Sequence, residues 1–124
     1  MYAISTDKAP RTSLPFSEGT SAARFAFVSA QPPVDPATGR LVEEGLGAQA
    51  NQCLDNVEGV LSELELTFAE VTKLTIYLAG TSDFACVDRV CARRLTKPLP
   101  AVTRLEVCSL PGGVPIAIEA IACR

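Results

Sequence analysis

Between residues 46 and 64 the chain reads Leu46-Gly47-Ala48-Gln49-Ala50-Asn51-Gln52-Cys53-Leu54-Asp55-Asn56-Val57-Glu58-Gly59-Val60-Leu61-Ser62-Glu63-Leu64. Leu46, Ala50, Cys53, Leu54, Val57, Leu61 and Leu64 recur at spacings of three and four, the period of one helix face. The opposite face carries Gln49, Gln52, Asp55, Glu58 and Glu63. This amphipathic helix needs an apolar surface to lie on, and the flanking segments supply it as strands.

Upstream, Arg24 to Ser29 alternates Phe25 and Phe27 against Ala26 and Val28, as a strand does. Pro32-Pro33-Val34-Asp35-Pro36-Ala37-Thr38-Gly39 ends that strand, because proline cannot continue a central strand and Asp-Pro with Thr-Gly is turn chemistry. Met1 to Ser13 is a loose lead-in ending in a short edge strand. Downstream, Val71 to Leu78 reads as a strand with Leu74, Ile76 and Leu78 on one face. Ser82 or Asp83 caps a second helix that buries Phe84, Val87, Cys91 and Leu95, and Pro98 and Pro100 stop it. Arg93-Arg94 reads as a surface charge pair at its end. Ala101 to Cys108 and Pro115 to Ala122 are two further strands, joined across Leu110-Pro111-Gly112-Gly113.

The order β-β-α-β-α-β-β predicts one α+β domain over residues 1–124, with two helices on one face of a mixed sheet. No segment remains to cover the other face. Val102, Ile116 and Ile118 are expected to leave it partly apolar, and an uncovered apolar face points to an oligomer.

Composition excludes several chemistries. The 124 residues are 48% hydrophobic, enough for a core without staples. A net charge of −3 argues against a nucleic-acid surface. Neither a signal-peptide core nor a membrane span is present, so a cytoplasmic protein is expected, with no membrane partner. The chain has no His, and its five cysteines form no C-x-x-C pair, so no metal site is expected. A Ser-His-Asp or Cys-His pair cannot be built, which leaves acid–base work to carboxylates, Cys, Tyr or water.

Phe27-Val28-Ser29-Ala30-Gln31-Pro32-Pro33-Val34-Asp35-Pro36-Ala37-Thr38-Gly39 resembles the "SGQ-x-P-x-DP-x-TG" signature of the Rid (reactive intermediate deaminase) family, also called YjgF. Gln49 to Val57 resembles its "Q-x-x-Q-x-L-x-N" helix. The likeness continues through Val71–Leu78, Asp83–Asp88, Pro100-Ala101, Leu110-Pro111 and Ile118–Ala122. This resemblance implies a chorismate-mutase-like fold and a homotrimer with clefts between subunits. It also implies hydrolysis of a small-molecule enamine or imine to a carbonyl compound and ammonia, without metal or organic cofactor.

The resemblance also assigns site residues. Glu119 is implied as the catalytic residue that positions the attacking water. Phe16 stands where the family has tyrosine, Ala30 where it has the glycine beside Ser29, and Asp88 where it has asparagine. Val102 stands where the family's arginine grips the substrate carboxylate in two parallel hydrogen bonds. Losing that partner costs roughly 2–5 kcal/mol, or about 30- to 4000-fold in affinity. Arg104, two residues along the strand, is a candidate replacement; it could equally pair with Glu119, Glu106 or Asp88, or face the trimer's solvent channel. Cys108 is expected on the same strand face. Enzymatic hydrolysis of a bulkier or non-carboxylate imine is therefore expected. The alternatives are a tautomerase or cyclase of a biosynthetic imine and a non-catalytic small-molecule binder. Ribonuclease activity, a reading that rests on family naming alone, is the weakest.

Overall fold

The computed structural model describes residues 1–124. Its elements are β1 (Tyr2–Ile4), β2 (Gly19–Ala22), β3 (Phe25–Gln31), β4 (Val34–Asp35), β5 (Arg40–Leu41), α1 (Leu46–Ser62), β6 (Val71–Ala79), α2 (Phe84–Arg94), β7 (Ala101–Val107) and β8 (Ile116–Cys123). Six strands form a sheet in the order β1-β2-β3-β8-β6-β7, and β4 and β5 form a separate hairpin. Only the β6–β7 pair is parallel, as the α2 crossover requires. The α+β layer with a mixed sheet and two helices is thus the observed architecture. The short strand Gly19–Ala22 has no apolar alternation to announce it, and it forms by pairing with β3.

The core lies between the helices and one sheet face. Ala50, Cys53, Leu54, Val57, Val60 and Leu61 of α1 pack with Leu74, Ile76 and Leu78 of β6 and with Ile116 and Ile118 of β8. Asp83 caps α2 by accepting from the Cys86 backbone N–H at 3.1 Å. That helix buries Val87 and Val90, with Phe84, Cys91 and Leu95 partly buried beside the core. Arg94 is not a surface charge. It donates to Asn51 Oδ1 at 3.0 Å and pairs with Asp55 at 2.8 Å, tying α2 to α1.

The expectation for the open face needs correcting. Ile116 and Ile118 are fully buried on the helix side. Val102 lies in register with buried Leu74 and lines a cavity with Cys91 and Ala92 of α2, so it too belongs to the helix side. Strand parity exchanges the sets. The face away from the helices carries Phe25, Phe27, Leu105 and Ile121, with Phe27 directly opposite Ile121. It remains partly apolar, though with different residues.

The glutamine- and asparagine-rich side of α1 holds the turn-rich segment before it. Asn56 is fully buried, and its Nδ2 donates to the carbonyls of Pro32 and Val34, each at 2.9 Å. Gln52 Nε2 donates to Asn56 Oδ1 at 2.9 Å, and Gln49 Nε2 to the Val42 carbonyl at 2.9 Å. The bonds of Gln49 and Asn56 occupy backbone carbonyls of the turn segment, and Gln52 braces the Asn56 amide.

Candidate functional site

Two concavities gather most of the expected residues. The larger, about 400 Å³, is lined by Phe16, Ser29, Ala30 and Gln31, by Arg11 and Glu18, and by Leu110, Pro111 and Ala117 at its floor and rim. Its geometry comes from a bulge. The β3–β8 register shifts between Val28 and Gln31, so Ser29 and Ala30 have no partner residue on β8. The Ser29 backbone N–H donates to the Glu18 carbonyl at 2.9 Å, and its Oγ donates to the Ser17 carbonyl at 2.7 Å. These two bonds hold the segment carrying Phe16 against the bulge. Phe16 itself is 56% exposed, an aromatic wall standing free.

Gln31 is 3% exposed. Its Nε2 donates to the Ser29 carbonyl at 3.0 Å, while its Oε1 is buried without a donor. A buried acceptor without a partner is uncommon in folded proteins and calls for an explanation.

The second concavity, about 250 Å³, lies under α2 and is lined by Asp88, Cys91, Leu95, Leu99, Val102 and Arg104. Val102 and Arg104 share a strand face, as their spacing predicts. Of the partners foreseen for Arg104, the fold selects Asp88: Nη1 meets Oδ2 at 2.5 Å, and the guanidinium lies 5.2 Å from the Phe84 ring centre. Burial, with the Asp88 charge adding to it, pushes the Cys91 thiol up to about 11.

Glu119 and Cys108 line neither concavity. Glu119 lies on the open face two residues beyond Ala117, about 7 Å along the strand from the larger cavity. It is half-buried and accepts a short hydrogen bond from the Tyr77 hydroxyl. That bond raises the Tyr77 phenol above its ordinary value, with desolvation and the Glu119 charge acting the same way. Cys108 falls just past the end of β7 and is exposed, so the strand parity that grouped it with Val102 and Arg104 no longer applies.

Within one chain the expected residues therefore divide. Phe16, Ser29 and Ala30 stand at β3, and Asp88, Val102 and Arg104 stand at β7. Three strand spacings separate β3 from β7, about 14 Å. Sequence reasoning missed Arg11, Glu18 and Gln31 in the larger cavity. Gln31 was visible within the signature; Arg11 reaches the cavity only because the lead-in folds back over α1.

The sequence profile of the endoribonuclease L-PSP family matches residues 6–124. A RutC family protein of Pyrococcus horikoshii is 37% identical over 121 residues, covering 98% of this chain and 96% of the relative. The 2-iminobutanoate/2-iminopropanoate deaminase of Bos taurus is 37% identical over 121 residues, covering 98% and 88%. Among solved structures, the YjgF gene product of E. coli superposes with a TM-score of 0.91 at 33% identity, covering 100% of this chain and 99% of that one. The matched signature, the shared fold and the covered lengths agree, and the chain belongs to the endoribonuclease L-PSP family, the YjgF/Rid family of proteins.

Proposed function

We propose that the protein is a homotrimer that hydrolyses reactive enamines or imines to a carbonyl compound and ammonia, in clefts shared between neighbouring subunits. The observation carrying this reading is the division of the site. Phe16, Ser29 and Ala30 lie about 14 Å from Val102, too far for one small molecule to touch both. A second copy docking its β7 side against the first copy's bulge would join the halves. The apolar open face with Phe25, Phe27, Leu105 and Ile121 supplies surface for that association. The relatives named as imine deaminases supply the reaction class.

In this reading water adds to the C=N carbon, and the resulting carbinolamine expels ammonia. Glu119, held by Tyr77, positions the water, passes its proton to the nitrogen as the C–O bond forms, and then carries the carbinolamine hydroxyl proton to the same nitrogen, so that the C–N bond breaks with loss of ammonia. No metal or organic cofactor takes part. Valine at position 102 makes the β7 wall apolar, which favours a bulkier imine over the smallest imino acids.

Ammonia release from 2-aminoacrylate generated in situ, and then from larger imines, tests the proposal. Turnover should be slow with 2-aminoacrylate, faster with larger imines, and raised on 2-aminoacrylate in Val102→Arg. No acceleration of any imine by the folded oligomer would overturn it. A second reading, a non-catalytic binder, is favoured by the engagement of Arg104 with Asp88. In that case Glu119→Ala would change ligand affinity in a protein that turns nothing over.

A further inference from the structure

With valine at position 102, the chain must hold an anionic substrate by another cation or not at all. Arg104 is the cation nearest in sequence, but Asp88 neutralises it at 2.5 Å. The larger cavity contains a different one. Arg11 lines it beside Phe16, Ser29 and Ala30. Arg11 makes no ion pair, and its only side-chain bond is a long one from Nη1 to Ser5 Oγ at 3.4 Å. Most of its five N–H donors are therefore unused. Glu18 lines the same cavity without pairing to it.

The second observation is independent of Arg11. Gln31 lines this cavity and keeps a buried Oε1 with no donor. Its amide cannot usefully turn over, since Nε2 is already spent on the Ser29 carbonyl. A ligand N–H would satisfy the orphaned acceptor once a small rotation of the amide opens it to the cavity. The cavity thus offers a free guanidinium, an unpartnered carbonyl acceptor and an aromatic wall from Phe16.

We infer that Arg11 is the anion anchor of this site. The ligand class is a carboxylate with an N–H donor near it and an apolar remainder: the carboxylate on Arg11, the N–H on Gln31 Oε1. A 2-imino acid or its enamine has this pattern, so the inference rests on the reading above and specifies its substrate. The reacting carbon would then sit beside the Ser29–Ala30 bulge, with the apolar β7 wall of the neighbouring subunit receiving the rest of the substrate.

Stable probes test the anchor by calorimetry: L-alanine (carboxylate and N–H), pyruvate (carboxylate alone) and L-alaninamide (N–H alone). The full-length protein should bind alanine best, pyruvate more weakly and alaninamide least. Arg11→Ala should weaken alanine and pyruvate roughly 10- to 100-fold, with Arg11→Lys in between. Arg11 is exposed, so these variants should fold. Gln31→Met should erase the preference for alanine over pyruvate, and the wild-type preference carries the same information if that variant fails to fold. Wild-type affinity in Arg11→Ala, loss of binding in Arg104→Ala instead, or no carboxylate binding at all would overturn the inference. Ammonia release is read separately. Arg11-dependent binding without turnover would refute the deaminase reading and leave the anchor standing. Turnover with binding indifferent to Arg11 would do the reverse.

Discussion

Replacing Gly59 by alanine sets two effects of opposite sign against each other. In the interior of a helix such as α1, Gly→Ala ordinarily stabilises by about 1 kcal/mol. Here the added Cβ would stand 2.4 Å from the Lys8 carbonyl oxygen and 2.9 Å from the carbon of the same carbonyl. Those are backbone atoms, so no rotamer change relieves the clash, and the lead-in must move by about 1 Å to reach ordinary contact. Overpacking of this kind costs about 1–3 kcal/mol. The ceiling is full release of the lead-in, which would uncover Ile4, Thr6 and Ala9, all buried. Uncovering Ile4 alone costs about 1.5–3 kcal/mol. Strain therefore matches or outweighs propensity, and Gly59→Ala should lose up to about 2 kcal/mol. Urea unfolding at fixed protomer concentration measures it. Because Arg11 lies in the same lead-in and Phe16 closely follows it, alanine binding should weaken in parallel. A gain of about 1 kcal/mol with unaltered binding would refute the reasoning, since it would mean the lead-in does not press on α1.

Asn56→Ala removes the donors of two part-buried carbonyls, those of Pro32 and Val34, and should cost about 1–3 kcal/mol by urea unfolding; a loss below about 0.5 kcal/mol would mean water replaces the amide. Phe27→Asp places a charge on the apolar open face opposite Ile121, and if that face carries the proposed assembly, sedimentation should show the wild type as an oligomer and the variant as smaller species at the same concentration. Above the ordinary thiol range, the folded chain keeps the Cys91 proton that the unfolded chain has lost, so stability should fall as pH rises from about 9 to about 11. Cys91→Ala should lessen that slope without abolishing it, because buried Cys53 and Tyr77 are shifted in the same direction.

What could be read from sequence was whatever repeats locally. The i, i+3, i+4 pattern gave α1, its bounds differing only at the C-terminal end, where Leu64 lies past Ser62. Two-residue alternation gave β3 and β6, and β7 and β8 were read as two strands joined across Leu110-Pro111-Gly112-Gly113. The side of the sheet to which Ile116 and Ile118 turn was not legible, because β8 is apolar on both faces and Ile121 competes with them. Asp88 was one of several carboxylates open to Arg104, and only the packing of α2 across β7 selects it. Gln49, Gln52 and Asn56 were legible as a motif but not as a clamp, since Gln49 and Asn56 donate to backbone carbonyls of a loop 7 to 24 residues upstream and Gln52 only braces Asn56. Arg11 was the least legible: its place in the cavity depends on the lead-in crossing α1 at Gly59.

The distance across the sheet from the β3 bulge to Val102 has a genetic consequence. If the cleft is built from two chains, a lesion at Arg11 and a lesion at β7 damage opposite walls. Each homogeneous population would be inactive, yet co-expressed chains would pair an intact bulge from one allele with an intact β7 from the other. Two broken alleles would then complement each other inside a single mixed oligomer, whereas two lesions on the same wall would not.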